Sequence, residues 1–300
     1  MKILYIAKID GCSIKEDYLC DMLFHGFRSL FGADVVDVNR NTTMYNDLDP
    51  NYRRLYGNGF TIWKTLDSTL EIDRTDIESK IKNIFFNLII YGHANRTLKY
   101  IDIVKSTYNK NKVILFDGED QQRFRTRQTT PINILELGFP IFKRELNMEI
   151  NGIFPISFCI PKEKIYHGNI QKTKNFATNT MNKRNRIFNK EEDYYNEYRN
   201  SYFGTTKKKG GWDCCRHYEI MMNKCIPYFE NIQNMPHLTM VHFPKKLVQE
   251  AMNSININKI DDNIYLDFQQ KIFNHMLQHN TTEAMAKYVL NTVEGLCKLQ

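Results

Sequence analysis

Long apolar runs, paired cysteines and complete nucleotide-binding fingerprints are all missing from this chain of 300 residues. No stretch approaches the roughly 18 consecutive apolar residues that a membrane span needs, and Asn87 interrupts the most apolar segment, residues 84–91. We therefore expect no membrane-spanning helix. The apolar run at residues 3–7 is shorter than the core of a secretory signal, and Lys8 ends it, so it predicts a first β-strand.

The seven cysteines are odd in number and scattered, and no two of them form a Cys-x-x-Cys pair. Neither a zinc knuckle nor a disulfide framework is indicated, so we expect a reducing, cytoplasmic setting. The adjacent Cys214 and Cys215 are expected to be small buried side chains. His275 and His279 are spaced for one helix face, but they lack the glutamate and the third ligand of a metal site, so we predict no metal.

The overall composition is that of a globular protein, with 42% hydrophobic and 25% charged residues, which excludes wholesale disorder. Lysine and arginine number 41 and the acidic residues 34, a net charge of +7. This excess suits an anionic ligand or a nucleic acid without proving either. The length suits one large domain or two ordinary ones.

The first half of the chain alternates apolar strands with helical patterns. Apolar residues at helical spacing over 15–31, followed by Gly32, predict a helix between two strands. Further strands are expected at 87–91 and 112–116, and this order predicts an α/β, doubly wound parallel sheet. Ligands of such sheets bind beyond the carboxyl ends of the strands. The polar candidates at those ends are Asp10, His93, Asp117 and Glu119.

A basic, glycine-containing loop stands out in the second half. Lys207, Lys208 and Lys209 precede Gly210-Gly211. Asp213 is expected to be the N-cap of a helix over 214–223. Such a loop aims backbone N–H groups and the positive helix end at an anion, and phosphate is the obvious candidate.

Two charged residues share one face of the predicted helix. Arg216 and Glu219 are three residues apart, a cation and a carboxylate that suit a diphosphate and a ribose diol. The alternative from the residues alone is a solvated turn beside a surface ion pair.

The pattern Arg-x-x-Glu-Ile-x-x-x-x-Cys-Ile-Pro at 216–227 follows Lys-Lys-Gly-Gly-Trp-Asp-Cys from residue 208. Together these residues resemble the donor-binding half of exostosin-like glycosyltransferases of GT-B architecture, over about 195–250. Asn223-Lys224 stand where that group often has a small residue and glycine. The resemblance implies two Rossmann-like domains facing a cleft: an acceptor-side domain at 1–148 and a nucleotide-sugar-binding domain at 149–300.

The resemblance also implies a function. It is the transfer of a sugar, without a metal or other cofactor, from a donor such as a UDP- or GDP-sugar to a hydroxyl of a glycan, protein, lipid or modified base. Glu219 would bond the nucleotide ribose. The donor-binding candidates are Thr206, Lys208, Lys209, Gly210, Gly211, Asp213, Arg216 and Glu219.

An inverting transfer needs a general base on the N-terminal side, and the candidates are His93, Asp117 and Glu119. His93 is preferred because its ordinary pKa is near neutral. Two alternatives remain open. One is sugar transfer onto DNA or RNA, held by the basic stretch with Arg123, Arg125 and Arg127. The other is a nucleotide-sugar-binding module without turnover.

Overall fold

A computed structural model describes residues 1–7, 17–47, 56–122, 133–177 and 187–298. Within them, all paired strands are parallel and form two sheets. The first sheet has the order β2-β1-β3-β4-β5-β6 and the second β7-β8-β9. The strands are β1 (Ile3–Ile6), β2 (Val35–Asp37), β3 (Leu88–Tyr91), β4 (Val113–Asp117), β5 (Ile141–Lys143), β6 (Ile153–Pro155), β7 (Lys174–Phe176), β8 (Ser201–Thr206) and β9 (Ile226–Phe229).

Helices connect and cover these strands, so the expected α/β class with parallel pairing is confirmed. They are α1 (Tyr18–Phe31), α2 (Ile77–Lys82), α3 (Ile101–Thr107), α4 (Glu191–Arg199), α5 (Cys215–Met222), α6 (Lys245–Ser254), α7 (Asp262–His279) and α8 (Thr282–Lys298).

The central strands of the first sheet are buried on both faces, which explains why they read as continuous apolar runs. Tyr5 and Ile90 belong to the core cluster that also contains side chains of α1 and α8. Leu4 and Ile89, which alternate with them, belong to a second cluster with side chains of α2 and α3. Helices therefore cover both faces of this sheet.

Helix α1 ends at Phe31 as its sequence predicts, and it begins at Tyr18. Asp17 is its N-cap, with the side chain accepting from the Cys20 amide at 3.0 Å. Gly32 ends it with a φ of 54°, a left-handed conformation that glycine adopts without a steric cost.

The last helix returns to the first sheet and packs on α1. A Cβ built on Gly26 would overlap the Thr282 carbonyl, so the glycine allows α1 and the start of α8 to approach closely. The boundary at residue 148 stays a prediction, but β6 of the first sheet follows it in sequence. Within the described part of the chain, no helix is both long and apolar enough to cross a membrane.

Candidate functional site

The carboxyl ends of the two sheets are joined by a buried arginine. Arg144 follows β5, is 2% exposed, and donates from Nη1 to the carbonyl of Asp213 at 2.6 Å. Its Nε and Nη2 donate to the carbonyl of Gly118, just after β4, at 3.1 and 3.0 Å. Glu145 accepts from the Asp213 amide at 2.8 Å. Because α5 follows Asp213, these bonds fix the start of α5 against the end of the first sheet.

The first sheet has its topological switch point between β1 and β3, where crevices for ligands form in α/β proteins. His93 is the second residue after β3, and Asp17 lies at the start of the helix that follows β1. The Nε2 atom of His93 is 3.0 Å from Oδ2 of Asp17 and 3.8 Å from Oε1 of Glu119. The structure thus brings together His93 and Glu119, two of the three predicted catalytic residues.

The electrostatics of this cluster favour an ionised carboxylate beside the imidazole. Burial by itself raises the pKa of Asp17, but His93 and Arg96 hold it well below its ordinary value. Nη2 of Arg96 is 3.5 Å from Asp17 Oδ2. Among the described residues, Nδ1 of His93 is buried without a hydrogen-bond partner. Nε2 of His93 is buried as well, and it too has no hydrogen-bond partner within the described residues, although a carboxylate lies 3.0 Å away. An imidazole beside a carboxylate is the pair of groups that a general base requires.

Asp117 lies at the end of β4, as expected, but protein groups form hydrogen bonds to both of its carboxylate oxygens. Its Oδ2 accepts from Lys143 Nζ at 2.7 Å, and neither side chain is exposed. Its Oδ1 accepts from Asn95 at 2.8 Å and from the Glu119 amide at 3.1 Å. Asp117 therefore shapes the loop that carries Glu119.

Arg216 brings a half-buried positive charge to the first turn of α5. Its Nε and Nη1 are buried and have no hydrogen-bond partner within the described chain. Burial lowers the pKa of Arg216, but its neighbours, including Cys214, Tyr194 and Glu219, raise it above its ordinary value, so the guanidinium stays charged. Buried donors of this kind normally have partners, and a helix N-terminus favours an anion.

Glu219 is buried and already accepts hydrogen bonds on both carboxylate oxygens. Thr61 donates to Oε1 and Tyr194 to Oε2, each at 2.6 Å. The Cys215 thiol lies 3.5 Å from Oε1. The carboxylate predicted to bond ribose thus faces hydroxyl groups, one of them from the first half of the chain.

Thr61 is held in a strained conformation by this contact. It has a φ of 78°, which is unusual for a β-branched residue, and it is completely buried. Its amide donates to Glu191 at 2.5 Å, and its hydroxyl lies 2.7 Å from that of Tyr195. Such strain persists only where the surroundings enforce it, and it is concentrated at functional sites.

The loop after β8 is fixed from inside by His217. Its Nε2 meets the Trp212 carbonyl and its Nδ1 the Thr206 hydroxyl, both at 2.8 Å. Burial lowers the pKa of His217 to about 3, so the ring is neutral. Since a carbonyl only accepts, Nε2 carries the proton and Nδ1 accepts from Thr206. The hydroxyl of Thr206, predicted to contact the donor, supports the loop.

The two glycines of this loop lie against acidic side chains of the first half. A Cβ on Gly210 would overlap a carboxylate oxygen of Asp120, and one on Gly211 would overlap Glu145. Lys208 places its ammonium 5.1 Å from the centre of the Trp212 ring. The amide of Lys209 donates to the Gly211 carbonyl at 3.0 Å. The glycines therefore allow a close approach of the two halves.

The expectation that Asp213 caps α5 is wrong. The N-cap is Cys214, without a side-chain hydrogen bond. The Asp213 carboxylate instead accepts from the Phe158 amide and the Tyr218 hydroxyl, both at 2.9 Å. Burial raises its pKa to about 7. The carboxylate turns away from the amides of the helix start because the Phe158 amide and the Tyr218 hydroxyl bind its two oxygens.

The turn after α5 has a left-handed residue, but it is Lys224 and not Asn223. Lys224 has a φ of 53°, while Asn223 has −98°. The Lys224 ammonium donates to the carbonyls of His167 and Gly168 at 3.2 and 2.9 Å. These bonds offset the strain at the position where the exostosin-like pattern often has glycine.

The described site does not include the remaining candidates from the sequence. Asp10 and the arginines 123, 125 and 127 lie outside the described residues. Ring centres of His275 and His279 are 4.6 Å apart, and His275 Nε2 lies 2.8 Å from the His242 carbonyl. Over the described ranges, no three histidine, cysteine or acidic side chains are grouped to hold a metal ion.

No protein-family model matches this chain, and no curated protein matches it either.

Four residues that shape the site were missed by the sequence reasoning: Asp17, Thr61, Arg96 and Arg144. Asp17 precedes a helical pattern, so its capping role had a sequence signal. The other three lie in segments without periodicity, and only their tertiary partners single them out.

Proposed function

We propose that this protein is a metal-independent glycosyltransferase that uses a nucleotide-sugar donor and a hydroxyl acceptor. The observation that carries the proposal is Arg216 at the start of α5, a charged guanidinium whose buried Nε and Nη1 have no hydrogen-bond partner among the described residues. A diphosphate supplies the charge and the acceptor oxygens that this group needs. A GT-B arrangement similar to that of exostosin-like enzymes is part of the proposal.

The donor nucleotide is assigned to the second sheet. Its diphosphate binds Arg216 and the N-terminus of α5, near Lys208 and Lys209, and its ribose hydroxyls bond Glu219. The hydroxyl of Thr61 donates a hydrogen bond to Glu219, as a ribose hydroxyl would. When the donor binds, a ribose hydroxyl therefore either replaces the Thr61 hydroxyl at Glu219 or shares the Glu219 carboxylate with it.

The first sheet offers no equivalent ribose site. In dinucleotide-binding sheets an acidic residue near the end of the second strand bonds the ribose. Asp37 ends β2, but Arg28 and Arg74 donate to its Oδ1 at 3.0 and 2.6 Å, and Tyr45 donates to Oδ2 at 3.1 Å. Two arginines pair with the Asp37 carboxylate, whereas Glu219 accepts its short hydrogen bonds from hydroxyl groups, which a ribose hydroxyl can replace. The nucleotide is therefore assigned to α5.

The proposed chemistry uses Arg216 as the phosphate-binding cation and His93 as the general base. An acceptor oxygen bonds to C1 of the sugar while the bond from C1 to the diphosphate breaks, and its electron pair leaves on the phosphate. Arg216 and the helix N–H groups stabilise that charge. The proton of the acceptor hydroxyl passes to His93, with Asp17 orienting the ring and stabilising the imidazolium.

A thermal-shift panel with UDP, GDP, ADP, CMP and dTDP tests the donor site. A ligand at about 100 times its Kd stabilises the fold by about 2.7 kcal/mol, which is visible as a rise in Tm. We expect at least one nucleotide to raise the Tm of the wild type and Arg216→Ala to abolish the rise. Arg40→Ala, which removes an exposed arginine paired with Asp47, is the control. If none of the five changes the wild-type Tm, the proposal is wrong.

A further inference from the structure

A small cavity opens between the loop after β4 and the loop after β8. Its volume is about 290 Å³, just below the ~300–1,000 Å³ of drug-sized ligand pockets. This volume has room for one sugar ring. The first half lines it with Asp120, Gln121, Gln122 and Glu145, and the second half with Lys208, Gly210 and Trp212.

The residues that line the cavity are close in sequence to both parts of the proposed site. Asp120 directly follows Glu119, which lies beside His93. On the opposite wall, Trp212 comes four residues before Arg216. A group held here therefore lies next to loops that lead to the proposed base on one side and to the proposed phosphate site on the other.

The lining suits a neutral molecule rich in hydroxyl groups. Carboxylates accept from hydroxyls, and carboxamides both donate and accept. Two carboxylates against one lysine make the cavity a poor phosphate site. Arg144 holds one oxygen of Asp120, while the other lies on the side of Gly210.

Gly210 keeps the cavity open. A Cβ at this position would overlap Asp120 Oδ2, so any side chain would turn the carboxylate away and occupy the space. The side chain of Asp120 is 62% exposed and is held by Arg144 through one oxygen, so we expect this substitution to alter the cavity and leave the fold intact.

We infer that this cavity holds the sugar ring of the donor, and that Asp120 and Gln121 select the sugar through its hydroxyl groups. The inference rests on the proposed function and deepens it, because it assigns sugar selectivity to the first half and nucleotide binding to the second.

The test measures Kd values by calorimetry for UDP and GDP and for sets of their sugars, including the glucose, galactose, N-acetylglucosamine, mannose and fucose forms. The wild type is expected to separate the best and worst sugar on one base by about tenfold or more. Gly210→Ala and Gln121→Ala are expected to remove that difference. Gln121→Ala, which lies outside the proposed nucleotide site, is expected to leave the Kd of the nucleotide unchanged. Gly295→Ala, where a Cβ meets open space, and Gln278→Ala, outside the cavity, are the matched controls.

A second arm uses the free monosaccharides and saturation-transfer NMR. Signals that Gly210→Ala removes and Gly295→Ala keeps support the cavity, even where no nucleotide binds and the proposed function fails. The inference is wrong if a nucleotide binds, all of its nucleotide-sugars have the same Kd, and no free sugar binds at the cavity. That result leaves the proposed function standing. If neither nucleotides nor sugars bind, both are wrong.

Discussion

Thr61 donates a hydrogen bond of 2.6 Å to Glu219, although 158 residues separate them in the sequence. The bond joins a loop of the first half to α5, and it is shielded because Thr61 is fully buried and Glu219 is 6% exposed. It therefore contributes both to the stability of the junction and to the state of the proposed ribose site.

Thr61→Val keeps the shape of the side chain and removes its hydroxyl. We expect the free energy of unfolding to fall by about 1–3 kcal/mol, because buried groups of Glu219 and Tyr195 lose a partner. Urea denaturation measures the change, and Thr61→Ser, which retains the hydroxyl, is the control. Equal stability of the valine variant and the wild type would contradict this account of the junction.

Replacing His93 by Gln removes the proposed base. We expect turnover of the donor to fall by about 10²–10⁴-fold, while the Tm rise with the bound nucleotide persists, because the nucleotide is assigned to α5. Asp17→Asn also lowers turnover because it removes the charge that orients the imidazole. Ser106→Ala, on the exposed side of α3, is the control. Full activity of His93→Gln excludes His93 as the base.

The raised pKa of Asp213 makes the free energy of unfolding depend on pH. Its pKa is raised to about 7 from an ordinary value of 3.8, so its contribution to stability is complete below about pH 4 and is lost as the pH rises through 7. His217 acts in the opposite direction. Its pKa is lowered to about 3, so its contribution is present above pH 6.5 and is lost as the pH falls.

The wild-type curve combines both effects, so the comparison with Asp213→Asn isolates the carboxyl group. We expect the Tm difference, wild type minus variant, to decrease as the pH rises from 4 to 8. A difference that is constant over this range is the contrary result.

Lys143→Met leaves the Asp117 carboxylate buried without its cation. We expect the free energy of unfolding to fall by about 3–5 kcal/mol, as for other broken buried pairs. Adding Asp117→Asn removes the unpaired charge and is expected to recover part of the loss. Urea denaturation of Lys143→Met, Asp117→Asn and the double variant completes a double-mutant cycle. If the two single losses of unfolding free energy add up to that of the double variant, Lys143 and Asp117 do not interact.

Much of the first sheet was predictable because its strands are uniformly apolar and its helices are amphipathic. The helix over 15–31 and the strands at 87–91 and 112–116 needed only local patterns, and each is confirmed within a few residues. By contrast β5, β6 and β7 have three residues each and no distinct period. Strands this short form only because neighbouring strands pair with them.

By itself, the sequence determined the α/β class, the loop from Lys207 to Gly211 and the helix that carries Arg216 and Glu219, because these depend on local periodicity, charge and glycine. The tertiary structure decided which polar groups remain open. It paired Asp117 with Lys143 and turned Asp213 away from the helix end, and it left Nε and Nη1 of Arg216 without a hydrogen-bond partner in the described chain. Partners of this kind come from residues far apart in the sequence, and only the packing of the two sheets brings them together.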